Sequence, residues 1–141
     1  MLETVEYRLP LPYPGPDDHA FWEGCKTHEL RIQRCTGCGA LRYWGQPMCS
    51  ACNSLDSEAL PASGRGKIWS YTTTYHGFGR VWRDAVPYTV VVVQLDEGPR
   101  MTSNLVDAAP EAIKVGLPVE VVWDDVTDAV TLPKFRLVRS A

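Results

Sequence analysis

The stretch CTGCGALRYWGQPMCSAC, Cys35 to Cys52, holds four of the chain's five cysteines in two C-x-x-C pairs. In such a pair both thiolates reach one ion from a tight turn, and small neighbours let backbone amides approach the sulfurs. Gly37 and Gly39 lie at the first pair, and Ser50, Ala51 and Asn53 surround the second. The linker Gly39–Met48 between the pairs is long enough for a strand out and a strand back, so the spacing predicts a four-sulfur tetrahedral site at Cys35, Cys38, Cys49 and Cys52. Zinc is the expected ion, one per chain. Four cysteines leave no open coordination position, which makes the role structural rather than catalytic. Binding of this kind contributes on the order of 10 kcal/mol to folding, as a ribbon of about 35 residues needs because it is too small for a core of its own. Iron in a rubredoxin-like site fits the same ligands. A thioredoxin-type dithiol does not, since it needs one C-x-x-C opening a helix in a βαβ context.

Outward from the cysteines, LRIQR alternates Leu30 and Ile32 with Arg31 and Gln33 and delivers a strand into Cys35. Before it, Asp17 or Asp18 is placed to cap a helix running to about His28, with Phe21, Trp22 and Cys25 on one side. Earlier still, Pro10, Pro12, Pro14 and Pro16 forbid helix and favour an extended arm. That arm carries Leu2, Val5, Tyr7, Leu9, Leu11 and Tyr13, too apolar for an idle tail, so it is expected to lie on a surface, its own or a partner's.

After Gly64, the runs KIWSYTTTY, YTVVVVQL, RMTSNLV, VEVVW and TLPKFRLV are β-rich and separated by turn formers. DAAPEAIKVG, with Pro110 in a first-turn position and Gly116 beyond Lys114, predicts a short helix between the third and fourth runs. Five strands interrupted there are the order of an OB fold. The expected fold class is therefore mainly β, divided into an arm (1–16), a helix (17–29), a rubredoxin-like zinc ribbon (30–62) and a five-stranded OB barrel (63–141).

The chain has 141 residues, 45% of them hydrophobic and 22% charged, an ordinary globular balance with no room for a large enzyme fold. Its longest aliphatic run, Val90–Val93, is far short of the roughly 20 residues that span a membrane. The N-terminus lacks a basic region followed by an apolar stretch and a cleavage site, so no signal peptide is expected. A reducing cytoplasm, where metal binding prevails over disulfides, is the expected location. A net charge of -3 argues against nucleic acid, whose phosphates need a cationic surface.

Other chemistry is sparse. The loop GFGRVWRDAVP brings Arg80, Trp82 and Arg83 next to two glycines, a combination suited either to a phosphate-bearing cofactor or partner or to a plain hairpin. Asp124, Asp125 and Asp128 read as a solvated hairpin end. Cys25 reads as a buried small residue rather than a nucleophile, since neither His19 nor His28 is well placed to serve it. Trp69, Tyr71 and Tyr75 share parity, as one strand face requires, but without a basic surround they are a poor base-stacking platform. No Ser-His-Asp set, H-E-x-x-H or G-x-x-x-x-G-K-[ST] occurs.

The order FWEG, LRIQRC, CTGC, CSAC, SGRGKIWSYTT, PYTVVVVQLDEGPRMTSNLV, KVGLPVEVVW and LPKFR resembles the bacterial and archaeal zinc-ribbon plus OB-fold proteins associated with acyl-CoA enzymes, over about residues 17–138. That resemblance implies a non-catalytic accessory subunit of a thiolase-like enzyme that makes or breaks carbon–carbon bonds, as in an acyltransferase, thiolase or aldolase complex of lipid or aromatic acid metabolism. It implies that the catalytic subunit is the partner, with an acyl-CoA held jointly at the interface. Cys35, Cys38, Cys49 and Cys52 match the family's zinc ligands one for one, and Arg80, Trp82 and Arg83 are the candidates for the coenzyme channel or the interface. Rival readings are a partner of a hot-dog-fold enoyl-CoA hydratase, a nucleic-acid-binding module and an iron electron carrier. The proline-rich arm is a departure from the family pattern.

Overall fold

The computed structural model describes residues 6–139. Helix α1 (His19–Lys26) buries Phe21, Gly24 and Cys25. Asp18 precedes it but does not cap its amides; its carboxylate instead accepts from the Gly15 amide (2.6 Å) and the Trp22 indole (3.0 Å), bracing the end of the arm against the helix. Strands β1 (Arg31–Cys35), β2 (Leu41–Arg42) and β3 (Ser57–Pro61) form an antiparallel sheet in the order β2-β1-β3. SEALP, the β3 sequence, has no β-branched residue, and its strand state comes from pairing with β1 along its whole length, from Arg31 opposite Pro61 to Cys35 opposite Ser57. The loop after β2 passes so close to the start of α1 that a Cβ on Gly45 would sit 1.7 Å from the Asp17 carbonyl oxygen, so only glycine fits there.

The second half is a closed barrel, β4 (Arg65–Thr74), β5 (Tyr88–Leu95), β6 (Arg100–Leu105), β7 (Pro118–Asp125) and β8 (Thr131–Leu137), in the order β4-β5-β6-β8-β7. The one parallel contact sets Leu105 of β6 against Phe135 of β8, and β4 with β7 completes the circle. This is the expected five-stranded OB architecture, with closure removing the open sheet edges. In β5 buried and half-buried residues alternate strictly, Thr89, Val91, Val93 and Leu95 pointing inward. The expected helix between β6 and β7 is shorter than its sequence suggests: a single 3-10 turn, Pro110–Ala112, after which Ile113 turns extended and drops into the core at 3% exposure. An unexpected short helix, α2 (Gly79–Arg83), occupies the β4–β5 connection.

Ribbon and barrel share one core. Phe21, Cys25, Leu30 and Ile32 cluster with Ile68, Val91, Met101 and Phe135, so the helix and ribbon bury apolar surface against the barrel that they could not bury alone. The junction is also pinned by polar contacts: the Ala62 amide donates to the Leu30 carbonyl (2.7 Å), the Ser63 amide to Glu97 Oε1 (2.6 Å), and the Val121 amide to the Gly64 carbonyl (2.7 Å).

Phe135 is fully buried and faces both neighbours of β8, Leu105 and Val121. Phe135→Ala is expected to lower the unfolding free energy by about 3–5 kcal/mol through lost transfer energy and a residual cavity. Urea denaturation of the zinc-loaded protein checks this: the midpoint falls while the slope stays unchanged.

Candidate metal centre and the surfaces around it

The strand LRIQR ends at Cys35, and from there the chain makes two near-identical turns. In the first, the Gly39 amide donates to the Cys35 carbonyl (2.8 Å) and the Cys35 amide to the Ala40 carbonyl (2.9 Å). In the second, the Asn53 amide donates to the Cys49 carbonyl (2.9 Å) and the Cys49 amide to the Ser54 carbonyl (2.9 Å). Each turn needs a left-handed residue directly after its second cysteine, supplied by Gly39 (φ 79°) and by Asn53 (φ 62°), the residue types that tolerate it. Cys35 and Cys49 are buried at the base of the turns, and Cys38 and Cys52 stand at the surface.

The four sulfurs lie within 4.8 Å of one another, with Cys35 to Cys52 at 3.5 Å and Cys38 to Cys49 at 3.7 Å. A tetrahedron with metal–sulfur bonds of about 2.3 Å has edges of about 3.8 Å, so the donor set fits one zinc ion with all four positions filled by protein. The electrostatics agree. Amides of Cys52 and Ala51 aimed at the Cys49 sulfur lower its pKa to about 6, and the amide of Cys38 likewise lowers Cys35. The Ser54 amide pulls Cys52 down, yet the neighbouring Cys35 and Cys38 sulfurs outweigh it and leave Cys52 at about 12. Backbone dipoles thus prepare some thiolates, and only a cation allows all four together.

Cys25 stands apart. It is fully buried on α1, and desolvation pushes its thiol up to about 12, so it packs and does not react. His19 is exposed, as is His76, which stacks edge-on against Phe78. His28 adopts φ 58° and carries its ring flat against Trp123, 5.4 Å between centroids, with Nε2 2.9 Å from Asp125. Asp125 also accepts from the Thr131 hydroxyl (2.6 Å), and these two contacts, Thr131 first, hold its carboxyl below the usual range. The acidic cluster is therefore partly a clasp from the barrel to the turn after α1. Asp124 pairs with Lys134 at 2.5 Å, while Asp128 stays exposed at the hairpin turn. Sequence spacing gave no sign of the His28–Asp125 contact, whose partners are far apart in the chain.

The row Trp69, Tyr71, Tyr75 does not share a face. A bulge lies where Ile68 pairs with Val93 and Ser70 with Val92, and it reverses the parity of β4. Trp69 lies on the outside under the Arg100 guanidinium (3.9 Å), whereas Tyr71 joins the row of buried Val91 and donates its hydroxyl to the Ile113 carbonyl (2.9 Å). A base-stacking platform is not formed by these residues.

Arg80, Trp82 and Arg83 all belong to α2, on the barrel and not the ribbon. Both guanidiniums are exposed, and neither has an ionic partner among the described residues. Trp82 is half-buried against Tyr88, with 5.6 Å between ring centroids, and lines a cavity of about 360 Å³ at the mouth of the barrel.

A four-sulfur ribbon whose core is continuous with a closed five-stranded barrel defines a zinc ribbon–OB-fold protein. Models of the ChsH2 rubredoxin-like zinc ribbon domain and of the ChsH2 C-terminal OB-fold domain match residues 22–58 and 60–124, and the chain belongs to this family. Among solved structures it is similar to a chain of the Ltp2-ChsH2(DUF35) aldolase, with 36% identity and a TM-score of 0.81, covering 90% of this chain and 98% of that one. A probable enoyl-CoA hydratase alpha subunit from Thermomonospora curvata is 40% identical over 120 residues, 84% of this chain and 37% of the relative. The benzoylsuccinyl-CoA thiolase subunit BbsA from Geobacter metallireducens is 36% identical over 76 residues, 54% of this chain and 49% of the relative. The chain spans 37% of the length of the first two curated relatives it matches. No helix among the described residues is long and apolar enough to cross a membrane.

Elemental analysis of the purified protein should find one zinc per chain, and Cys38→Ala should lose it together with the folded ribbon, read as rapid amide exchange over 31–61. Cys25→Ser should keep the full zinc content, because its sulfur is not among the four that converge. Zinc retained by Cys38→Ala, or lost with Cys25→Ser, would contradict the assignment.

Proposed function

We propose that this chain is a non-catalytic, zinc-binding accessory subunit of a thiolase-like enzyme acting on an acyl-CoA. The observation that carries the reading is its likeness to nearly the whole length of the ChsH2(DUF35) chain of an aldolase, at 36% identity. The likeness to a thiolase subunit points to the same class of partner. The chain's own chemistry is consistent with this division of labour: among the described residues, the thiol outside the metal cluster is buried and held protonated, and the histidine nearest it in sequence is engaged by Asp125. The nucleophile and proton-transfer groups then belong to the partner. Four thiols kept for a metal suit a reducing cytoplasm.

In this reading Arg80 and Arg83 face the partner or the phosphates of the coenzyme, and Trp82 walls the approach. Free guanidiniums beside an aromatic form the kind of patch that recognises phosphate or carboxylate. A second reading, in which the partner is an enoyl-CoA hydratase, draws on the 40% identity to a probable hydratase subunit.

Affinity purification of the tagged chain from its own cell, with the companion identified by mass, separates the two. A thiolase-fold companion, with carbon–carbon bond chemistry in the complex and none in the isolated chain, is the expected result. A hydratase companion favours the second reading, and thioester turnover by the isolated chain overturns both. In the complex, Arg80→Glu with Arg83→Glu should raise KM for the acyl-CoA or weaken assembly about tenfold, equivalent to about 1.4 kcal/mol.

A further inference from the structure

The residues that the metal site and the barrel core leave unexplained are those of the arm. Residues 6–14 make no hydrogen bond to the body of the protein among the described residues, yet exposure alternates over 6–10: Tyr7 and Leu9 are half-buried while Glu6, Arg8 and Pro10 are exposed, and beyond them Leu11 (46%) and Tyr13 (97%) are exposed. That period of two is what an extended segment shows when one side rests on a surface. Leu9 is the arm residue that lines the cavity at the barrel mouth, facing a wall that includes Trp82, Pro87 and Tyr88, while Tyr7 and Leu11 border a neighbouring depression beside His28 and Asp125. The cavity of about 360 Å³ is thus walled jointly by Leu9 and by residues of the barrel and α2, and a stiff, proline-rich backbone presents Leu9 there at little entropic cost.

We propose that the arm is a strap seated on the barrel mouth through Leu9, which forms one wall of the cavity that Trp82 of α2 also lines. Leu9 and Trp82, the half-buried residue of α2, line the same cavity, so the seated arm holds the β4–β5 connection in place. Leu9 is then a positioning residue: it acts through Trp82 on the segment that displays Arg80 and Arg83. Prolines at alternate positions keep the arm from folding back as a helix. The inference stands on the chain alone and does not require the acyl-CoA reading.

The test is amide hydrogen exchange by mass spectrometry on the full zinc-loaded chain, comparing wild type with Leu9→Asp and Leu9→Met. Leu9→Asp should speed exchange across residues 77–88 about tenfold and leave the ribbon, 31–61, unchanged. Leu9→Met, which still gives the cavity an apolar wall, should keep wild-type protection. Unchanged exchange over 77–88 in Leu9→Asp overturns the proposal, as does an equal rise in the ribbon, which would mark general destabilisation. Protection over 77–88 in the wild type that falls on tenfold dilution would also overturn it, because the arm would then be docking on a second copy.

Discussion

Four thiolates within 4.8 Å of one another are tolerable only around a cation, and this constraint organises the N-terminal half. Without the ion, amide dipoles favour thiolates at Cys35 and Cys49 while the accumulating negative charge keeps Cys52 protonated, so the turns hold opposing demands. With it, both turns lock and fix the ends of β1 and β3, which otherwise form a sheet of three short strands. A small sheet of that kind has too little apolar surface to hold itself. The ion replaces missing core, and Leu30 and Ile32 then connect what core there is to the barrel.

Much of this was legible in the residues. The C-x-x-C spacing encodes the metal site because the geometry is local: each turn needs only five consecutive residues, and Gly39 and Asn53 announce the left-handed positions. The barrel was legible because turn formers bound its strands and because β5 alternates as a strand with one buried face. What escaped were features decided by tertiary contact. SEALP lacks strand propensity and becomes β3 through pairing with β1. The helix expected at DAAPEAIKVG shrinks to one turn because Ile113 is worth more in the core than in a helix, and parity along KIWSYTTTY fails because a bulge resets it. His28 and Asp125 meet only after the barrel has closed, so neither neighbourhood signals the other.

Many charged side chains of the ribbon and barrel are already engaged: Arg34 with Glu58, Arg31 with Glu29, Arg136 with Glu120, Lys134 with Asp124, and Arg100 on Trp69. The β4–β5 connection differs. It exposes Tyr75, Phe78 and Val81 beside Arg80 and Arg83, guanidiniums with no ionic partner among the described residues. Aromatic and arginine side chains are the ones that carry most binding energy at protein interfaces when a partner desolvates them. A connection that leaves them uncovered is costly for an isolated chain to keep and useful for an assembled one.

Rigidity and reach are thus divided along the chain. Zinc and the shared core make the ribbon and barrel one body, the junction at Ala62–Gly64 is pinned by two backbone hydrogen bonds and one from the Ser63 amide to the Glu97 carboxylate, and no hinge separates the two modules there. The uncovered aromatic and cationic groups sit on a connection that has only a five-residue helix with no buried residue of its own. Such a segment owes its order to what rests against it, and in this molecule that is the barrel mouth, where Trp82 packs on Tyr88, together with the arm at Leu9 as proposed. The proline-rich arm, which neither the metal nor the barrel requires, then has a physical reason to carry Leu9: it preorganises the surface that the rest of the fold leaves loose, and preorganisation lowers the entropy lost on binding.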